Sequence, residues 1–290
     1  MKLLTFNRDG IQLAVQTETG LYDLSKGKEW SPEFPETMEE IIRRGEEAIG
    51  LINAYVSTSP DRLTEETLIW GPSVPNPGKI ICVGLNYRKH AEESNMPVPE
   101  TPILFNKFNN TITAHKEVVL IPYNSNEVDY EAELAIVIGK TAKHVGKEEA
   151  LDYVFGYTAC NDLSARDLQF KTHQWLLGKS CDGFTPVGPY LVTSEEVGNP
   201  NSLAISTVVN GELRQNSNTE DMVFFCDELV SYISDHMTLE PGDIILTGTP
   251  EGVIFGYPKE KQVWLKDGDV VTIEIEKLGS ITNTMKQEVR

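Results

Sequence analysis

The most constraining feature of the sequence is the stretch VDYEAELAIVIG at residues 128–139, in which two carboxylates lead into an apolar run. The run LAIVIG is typical of a strand that is buried on both faces. Glu131 and Glu133 are one residue apart, so in a strand their side chains point to the same face. Burying two carboxylates without a cation costs free energy. The stretch therefore predicts a buried strand and favours a bound cation over a solvated acidic face.

A third carboxylate, Asp162, follows 29 residues after Glu133, in GYTACNDLSARDLQ. By itself Asp162 is equally typical of a turn or of a helix N-cap. At the end of a neighbouring strand, however, it completes a set of three carboxylates. Three such ligands supply half of the octahedral oxygen shell of Mg²⁺ or Mn²⁺ and leave positions for water and a chelating substrate. Together, Glu131, Glu133 and Asp162 predict a site for a hard divalent metal.

An acid–base pair is predicted upstream, in GLNYRKHAEE. His90 and Glu93 are three residues apart, and this spacing places them on one side of a helical turn. A lone histidine on a helix usually has a structural role. Here the carboxylate of Glu93 can orient the imidazole and raise its basicity, as an acid–base catalyst requires.

Further polar residues lie in loops of small residues. Lys179 stands in GKSCDGFTPVGP, and Arg166 and Gln169 stand in ARDLQ. The solvated surface is the usual place for such side chains, but loops of this composition also hold side chains over functional sites. The turn TGTPEGV, with Thr249, lacks the Walker pattern, and its backbone N–H groups are suited to binding a carboxylate or an oxyanion.

The order of predicted elements indicates the fold class. Strand candidates lie at residues 79–85, 103–108, 118–122, 130–139, 154–162, 189–193, 204–211, 243–250 and 270–279. Helices are predicted near residues 147–151 and 222–234, so the order is not a regular β-α-β alternation, which argues against a doubly wound sheet or an α/β barrel. We predict an α+β fold with a mixed, rolled β-structure.

The first part of the chain predicts a smaller unit. Residues 1–24 indicate a meander of strands, and Thr37 with Glu40 indicates the capped start of a helix. The proline-rich stretch GPSVPNPGK at residues 71–79 is typical of a linker. We therefore predict a small N-terminal α+β domain at 1–75 and a catalytic domain at 76–290.

Charge and cysteine usage limit the partners and the compartment. With 25 Lys and Arg against 44 Asp and Glu, the net charge of −19 argues against nucleic acid and anionic membranes as partners. An anionic substrate then needs a local positive site. The four cysteines show no paired spacing, which indicates free thiols in a reducing compartment. No apolar run approaches the about 18 residues of a membrane span, and no signal peptide is evident, so we expect a cytoplasmic protein.

Several motifs, in the same order along the chain, resemble the fumarylacetoacetate hydrolase family. They are GLNYRKHAEE, FNKF, DYEAELAIVIG, GYTACNDLSARDLQ, GKSCDGFTPVGP, LTGTPEGV and GDVVTIEIEKLG, and they span residues 79–279. The resemblance is to the branch of bacterial acylpyruvate hydrolases and hydroxyheptadienedioate isomerases. It implies a mixed β-roll catalytic fold, a bound Mg²⁺ or Mn²⁺ and a homodimer.

The resemblance also assigns roles to residues by motif position. The implied metal ligands are Glu131, Glu133 and Asp162. The implied acid–base dyad and catalytic lysine are His90, Glu93 and Lys179. The implied substrate contacts are Lys107, Arg166, Gln169 and Thr249. The chain departs from the family at two places. In GTPEGVIFG, Ile254 stands where the family usually has a small residue, and the stretch TITAHKEV lacks the glycine that commonly follows the lysine motif FNKF. Both departures bear on the shape of the substrate.

The expected function is metal-dependent hydrolysis of the C–C bond of a 2,4-dioxo acid of the acylpyruvate or fumarylpyruvate type. The small anionic 2-oxo acid would chelate the metal, which would stabilise enolate charge. His90 would activate water, and Lys179 would balance charge. The same enolate arises when oxaloacetate is decarboxylated or when 2-hydroxyhepta-2,4-diene-1,7-dioate is isomerised or decarboxylated, so these reactions are the alternatives. A metal-binding member without catalysis is a more remote one.

Overall fold

The chain pairs most of its strands into two sheets. The computed structural model describes residues 1–58 and 60–290. Its strands are β1 (Lys2–Asn7), β2 (Ile11–Thr17), β3 (Gly20–Asp23), β4 (Ile80–Gly84), β5 (Ile103–Lys107), β6 (Ile112–Thr113), β7 (Val118–Ile121), β8 (Val128–Asp129), β9 (Ala132–Ile138), β10 (Val154–Asn161), β11 (Ser164–Ala165), β12 (Thr185–Thr193), β13 (Ala204–Val209), β14 (Glu212–Asn218), β15 (Ile244–Leu246), β16 (Val270–Ile275) and β17 (Gly279–Gln287). Its helices are α1 (Gly27–Trp30), α2 (Met38–Arg44), α3 (Glu46–Ser57), α4 (Arg88–Glu93), α5 (Arg166–Gln169), α6 (Leu176–Lys179), α7 (Ser194–Val197) and α8 (Cys226–His236).

The larger sheet places β9 near its middle. Its order is β3-β2-β1-β12-β10-β9-β15-β4-β5, with β6 beside β12. Strand β9 is antiparallel to both β10 and β15, whereas β15 is parallel to β4, so the sheet is mixed. Every residue of β9 is buried. This confirms the buried strand predicted from the apolar run. Because both faces of β9 are buried, its pairing with the neighbouring strands is strongly specified.

The second sheet packs against the same core. Its order is β14-β13-β16-β17-β7, and β13 and β16 alternate buried and more exposed residues, as half-buried strands do. Leu134 and Ile136 of β9 belong to one hydrophobic cluster with Ile205 of β13 and Ile273 of β16. Two sheets around a shared core with short helices confirm the α+β class and the mixed β-roll.

The N-terminal strands continue the larger sheet. The predicted meander forms β1, β2 and β3, and β1 pairs with β12 through Lys2 and Val192. The Thr37 hydroxyl accepts the Glu40 N–H at 3.2 Å and caps α2, as predicted. Gly45, with φ of 54°, then separates α2 from α3. The division into domains at 1–75 and 76–290 stays a prediction.

Other elements differ from the prediction. Residues Lys147–Tyr153 form a 3₁₀ helix, and the helix predicted near 222–234 is α8, which begins at Cys226. Strands β14 and β17 were not predicted, because ELRQNSN and GSITNTMKQ are rich in polar residues and lack a sustained apolar run. Their partners β13 and β16 supply the pairing. Among the described residues, no helix has both the length and the apolar character needed to cross a membrane.

Candidate active site

Three carboxylates meet where β9 begins and β10 ends. The two strands are antiparallel, with Ala132 opposite Asn161, so the residues flanking these ends lie side by side. Asp162 donates its backbone N–H to the Glu131 carbonyl at 2.9 Å. Side-chain oxygens of Glu131, Glu133 and Asp162 lie within 4.8 Å of one another, and all three residues are buried. The structure thus brings together the three predicted metal ligands.

Two buried lysines contact these carboxylates. The Lys179 ammonium, at the end of α6, donates to Glu131 at 2.5 Å and to Asp162 at 2.7 Å. Lys107, at the end of β5, bonds the other oxygen of Asp162 and donates to the Phe184 carbonyl at 2.7 Å. The predicted catalytic lysine therefore lies between two predicted ligands. Lys107, predicted to contact substrate, supports Asp162 in this structure.

Arg166 connects the cluster to a fourth carboxylate. Its guanidinium donates to Asp129 at 2.8 and 3.0 Å, to Glu131 at 2.6 Å and to the Gln169 side-chain oxygen at 3.0 Å. Arg166 and Gln169 thus lie at the site as predicted, but their hydrogen bonds are to protein groups. Asp129 was not predicted as a site residue. The alternation Asp129-x-Glu131-x-Glu133 contained the signal, because residues at this spacing in an extended stretch share one face, although Glu131 lies between β8 and β9 in the structure.

The turn after β15 supports the cluster from another side. The Gly248 N–H donates to Glu133 at 2.8 Å, so the turn predicted to bind an anion binds a carboxylate of the protein. The Thr249 hydroxyl accepts from Gln215 at 2.9 Å. Gln215 also accepts the Ala132 N–H at 3.0 Å and so holds the backbone between the two glutamates. Gln215 was not predicted as a site residue, since it lies in the polar strand β14.

The predicted acid–base pair is formed. Nδ1 of His90 lies 2.8 Å from a Glu93 oxygen, on one turn of α4. The Gly252 N–H donates to both Glu93 oxygens, at 3.0 and 3.2 Å. His90 is buried, and the carbonyl of Gly252 accepts a hydrogen bond at 2.9 Å from the hydroxyl of Tyr130, the residue next to Glu131. The dyad and the three carboxylates therefore belong to one site.

The ionisation of the cluster is uneven. Burial by itself would raise the pKa of Glu131, but Lys179 and Arg166 lower it to about 2. Burial, with the neighbouring charges of Asp162 and Glu131, raises the pKa of Glu133 well above its usual value. Within residues 1–58 and 60–290, no cationic side chain forms an ion pair with Glu133. Glu133 is thus the carboxylate that lacks a cation.

This donor set fits a hard divalent cation. The three clustered carboxylates offer only oxygen ligands, which Mg²⁺ and Mn²⁺ prefer. The buried cations are Lys107, Lys179 and Arg166, and the buried carboxylates around them are Asp129, Glu131, Glu133 and Asp162. With Glu133 protonated, as its raised pKa favours, the three cations balance the three remaining carboxylates. A divalent cation would make the site positive, as an anionic substrate requires in a chain with a net charge of −19.

Comparison with known proteins finds a matching family model and similar curated proteins. Residues 79–286 match the family described as Fumarylacetoacetate (FAA) hydrolase C-terminal. A mitochondrial oxaloacetate tautomerase, fahd2 of Xenopus laevis, is 44% identical over 94% of this chain and 85% of its own length. The human mitochondrial oxaloacetate tautomerase FAHD2A is 43% identical over 88% of this chain and 81% of its own length.

Solved structures share the fold over the whole chain. A putative HpcE protein from Mycobacterium smegmatis has a TM-score of 0.86 and 33% identity, with 100% of both chains covered. Maleylpyruvate hydrolase from Sphingobium sp. SYK-6, in complex with manganese(II) and pyruvate, has a TM-score of 0.83 and 32% identity, also with 100% of both chains covered. A 2-hydroxyhepta-2,4-diene-1,7-dioate isomerase from Mycobacterium marinum has a TM-score of 0.74 and 31% identity, with 100% of both chains covered. The neighbours thus include a hydrolase and an isomerase, as the sequence motifs implied.

The expected cytoplasmic location is wrong on these comparisons. The relatives from Xenopus laevis, Rattus norvegicus and Homo sapiens, which align with 88–94% of the chain, are named as mitochondrial proteins. The expectation rested on unpaired thiols, on the absence of a membrane span and on the lack of an evident signal peptide. The described cysteines are indeed free. Free thiols indicate a reducing environment, however, and do not distinguish one reducing compartment from another.

Proposed function

Because the chain belongs to the fumarylacetoacetate hydrolase family, we propose that it is a divalent-metal-dependent enzyme that tautomerises oxaloacetate or a closely similar 2-oxo acid. The observation that carries the proposal is the buried group Glu131, Glu133 and Asp162 beside the His90–Glu93 pair. The choice of tautomerisation over C–C hydrolysis follows the relatives that share 43–44% identity with most of the chain.

The proposed roles follow from the contacts. Glu131, Glu133 and Asp162 would hold Mg²⁺ or Mn²⁺, which supplies Lewis-acid stabilisation of negative charge on the 2-oxo oxygen. Lys179, between two of these carboxylates, places an ammonium beside the same region. It would stabilise the substrate carboxylate or the developing enolate by its charge.

Proton transfer is assigned to His90. In the keto-to-enol direction, His90 takes a proton from C3, the C2–C3 double bond forms, and the electron pair of the carbonyl moves to the 2-oxo oxygen. That oxygen then receives the proton from His90, so the reaction needs no co-reactant. Glu93 keeps the imidazole oriented through Nδ1, at 2.8 Å, and leaves Nε2 to exchange the proton.

Hydrolysis of an acylpyruvate is the second candidate. It is favoured by the likeness to maleylpyruvate hydrolase, whose solved structure contains manganese and pyruvate. The same His90–Glu93 pair would then activate water for attack on the distal carbonyl, and cleavage would release a carboxylic acid and pyruvate. The two reactions share the enolate and differ in whether water attacks.

The test follows enol-oxaloacetate by its ultraviolet absorbance with Mg²⁺ or Mn²⁺, with the rate in buffer and metal alone subtracted. Maleylpyruvate and acetylpyruvate are assayed in parallel, and NMR identifies the products. Tautomerisation that is abolished by EDTA supports the proposal. Acid plus pyruvate from either dioxo acid, without tautomerisation, would select hydrolysis. Pyruvate and CO₂ from oxaloacetate would select decarboxylation. No reaction with any of the three substrates would refute the proposal.

A matched pair of variants tests the role of His90. General acid–base catalysis enhances the rate about 10²–10⁴-fold, so His90→Ala should lower kcat by about the same factor. The control is His144→Ala, because His144 forms a similar pair with Asp235, at 3.3 Å, on the exposed surface. Full activity of His90→Ala would refute the proton-transfer role, and the control should remain active.

A further inference from the structure

The turn at residues 252–256, which we call the closing turn, joins the acid–base pair to the carboxylate cluster. At its start, the Gly252 N–H donates to both oxygens of Glu93. Further along, the Ile254 and Phe255 N–H groups donate to the two oxygens of Asp129, at 2.9 and 3.0 Å. Asp129 in turn binds Arg166, which contacts the predicted ligand Glu131. A short segment of backbone therefore spans the distance between the two halves of the site.

The start of the closing turn is fixed in place. The Gly252 carbonyl accepts hydrogen bonds from the Tyr130 hydroxyl at 2.9 Å and from the Tyr257 hydroxyl at 3.1 Å. Its φ of 96° disfavours any other residue, and a Cβ there would lie 2.3 Å from the Arg214 carbonyl oxygen. The N–H and the carbonyl of Gly252 are thus both hydrogen-bonded, and the N–H that holds Glu93 has a defined position.

The end of the closing turn lies directly against Glu93. A Cβ added to Gly256 would be 2.5 Å from the carboxyl carbon of Glu93 and 2.7 Å from each of its oxygens. Side-chain carbons do not approach other atoms so closely, so a methyl group at position 256 must displace the Glu93 carboxylate. The obstruction is the end of a flexible side chain and not backbone, so the chain can fold around such a methyl group.

We propose that Gly256 is a positioning residue for the His90–Glu93 pair. Its bare Cα leaves the space in which the Glu93 carboxylate lies against the closing turn, with one oxygen on Nδ1 of His90 and both oxygens near the Gly252 N–H. Asp129 anchors the neighbouring residues of the turn, so the space has fixed walls. The catalytic consequence rests on the proposed proton-transfer role of His90, whereas the geometric consequence does not.

The test compares Gly256→Ala with Gly146→Ala. Gly146 also stands near a carboxylate, but a Cβ there would lie 3.9 Å from the nearest Glu149 oxygen, an ordinary contact. A crystal structure of Gly256→Ala should show the Glu93 carboxylate moved away from Nδ1 of His90. The long-range ¹H–¹⁵N spectrum of the His90 ring should change with it. In Gly146→Ala both should be as in the unmodified protein.

Activity provides the second readout. General acid–base catalysis raises the rate about 10²–10⁴-fold, and a misoriented base loses part of this rate enhancement. The kcat of Gly256→Ala should therefore fall about 10–100-fold, with little change in KM. Glu93→Asp removes one methylene and withdraws the carboxylate from position 256. In that background, adding Gly256→Ala should cost less than a few-fold, because the clash is already relieved.

The outcomes separate the two proposals. If Glu93 stays on His90 in Gly256→Ala, or if Gly256→Ala costs as much in the Glu93→Asp background as in the unmodified protein, the positioning role is refuted. If Glu93 is displaced but every reaction proceeds at the unmodified rate, the positioning role stands and the proton-transfer role of His90 is refuted.

Discussion

Replacing Lys179 by methionine should destabilise the metal-free protein far more than the same change at the surface. Lys179 has a side chain 3% exposed and bonds Glu131 at 2.5 Å and Asp162 at 2.7 Å. Removing one partner from a buried ion pair costs about 3–5 kcal/mol, since a buried charge is left uncompensated. Arg166 still pairs with Glu131, and Lys107 still pairs with Asp162. We therefore expect the lower end of that range, about 3 kcal/mol.

Lys147 provides a matched control. It also lies between two carboxylates, Glu228 at 2.9 Å and Asp227 at 3.8 Å, but its side chain is 52% exposed. Exposed ion pairs contribute about 0–1 kcal/mol because water and salt screen them. The change of Lys147 to methionine should therefore alter stability by less than about 1 kcal/mol.

The measurement is the melting temperature in EDTA, repeated with Mn²⁺. At about 2–4 °C per kcal/mol, Lys179→Met should melt about 6–12 °C below the unmodified protein, whereas Lys147→Met should remain within a few degrees. Mn²⁺ should raise the melting temperature of Lys179→Met, because a divalent cation supplies charge to the carboxylates that have lost the ammonium. Equal melting of the two variants in EDTA would refute the buried charge balance described here.

Two further predictions concern metal binding and pH. Glu131→Gln should lose the rise in melting temperature that Mn²⁺ gives the unmodified protein, and a full rise measured by thermal unfolding would contradict the metal assignment. Burial, with the nearby Lys116 charge, lowers the pKa of His115 from 6.5 to about 4. Because the pKa of His115 is depressed in the folded state, the unfolded state binds the proton first as the pH falls. The free energy of unfolding is therefore unaffected by His115 above pH 6.5 and decreases as the pH falls toward 4, by about 2 kcal/mol at pH 5. In His115→Gln, the difference between the free energies of unfolding at about pH 8 and pH 5, measured with urea, should be smaller by about this amount. An unchanged difference would contradict the lowered pKa of His115.

The sequence predicted the carboxylate group because its signal is local. The alternation of Glu131 and Glu133 fixes their common face once the apolar run is identified as a strand. The position of Asp162 follows from the next strand along the chain, since consecutive strands often pair. The spacing of His90 and Glu93 likewise lies within one helical turn. For the two glutamates and for the His90–Glu93 pair, backbone periodicity over a few residues was sufficient, whereas Asp162 also required the pairing of consecutive strands.

The supporting residues depend on contacts between distant segments, and local patterns do not report these. Gln215 reaches the Ala132 N–H only because β14 pairs with β13 and the second sheet packs over β9. Gly256 matters only because the closing turn meets α4, which lies far earlier in the chain. Local sequence patterns therefore identify the candidate catalytic and metal-binding residues. The pairing and packing of the sheets determine which other residues hold them in position. Substrate preference among close relatives should accordingly change at such supporting positions, beginning with Ile254 beside Asp129, while the carboxylates and the dyad stay the same.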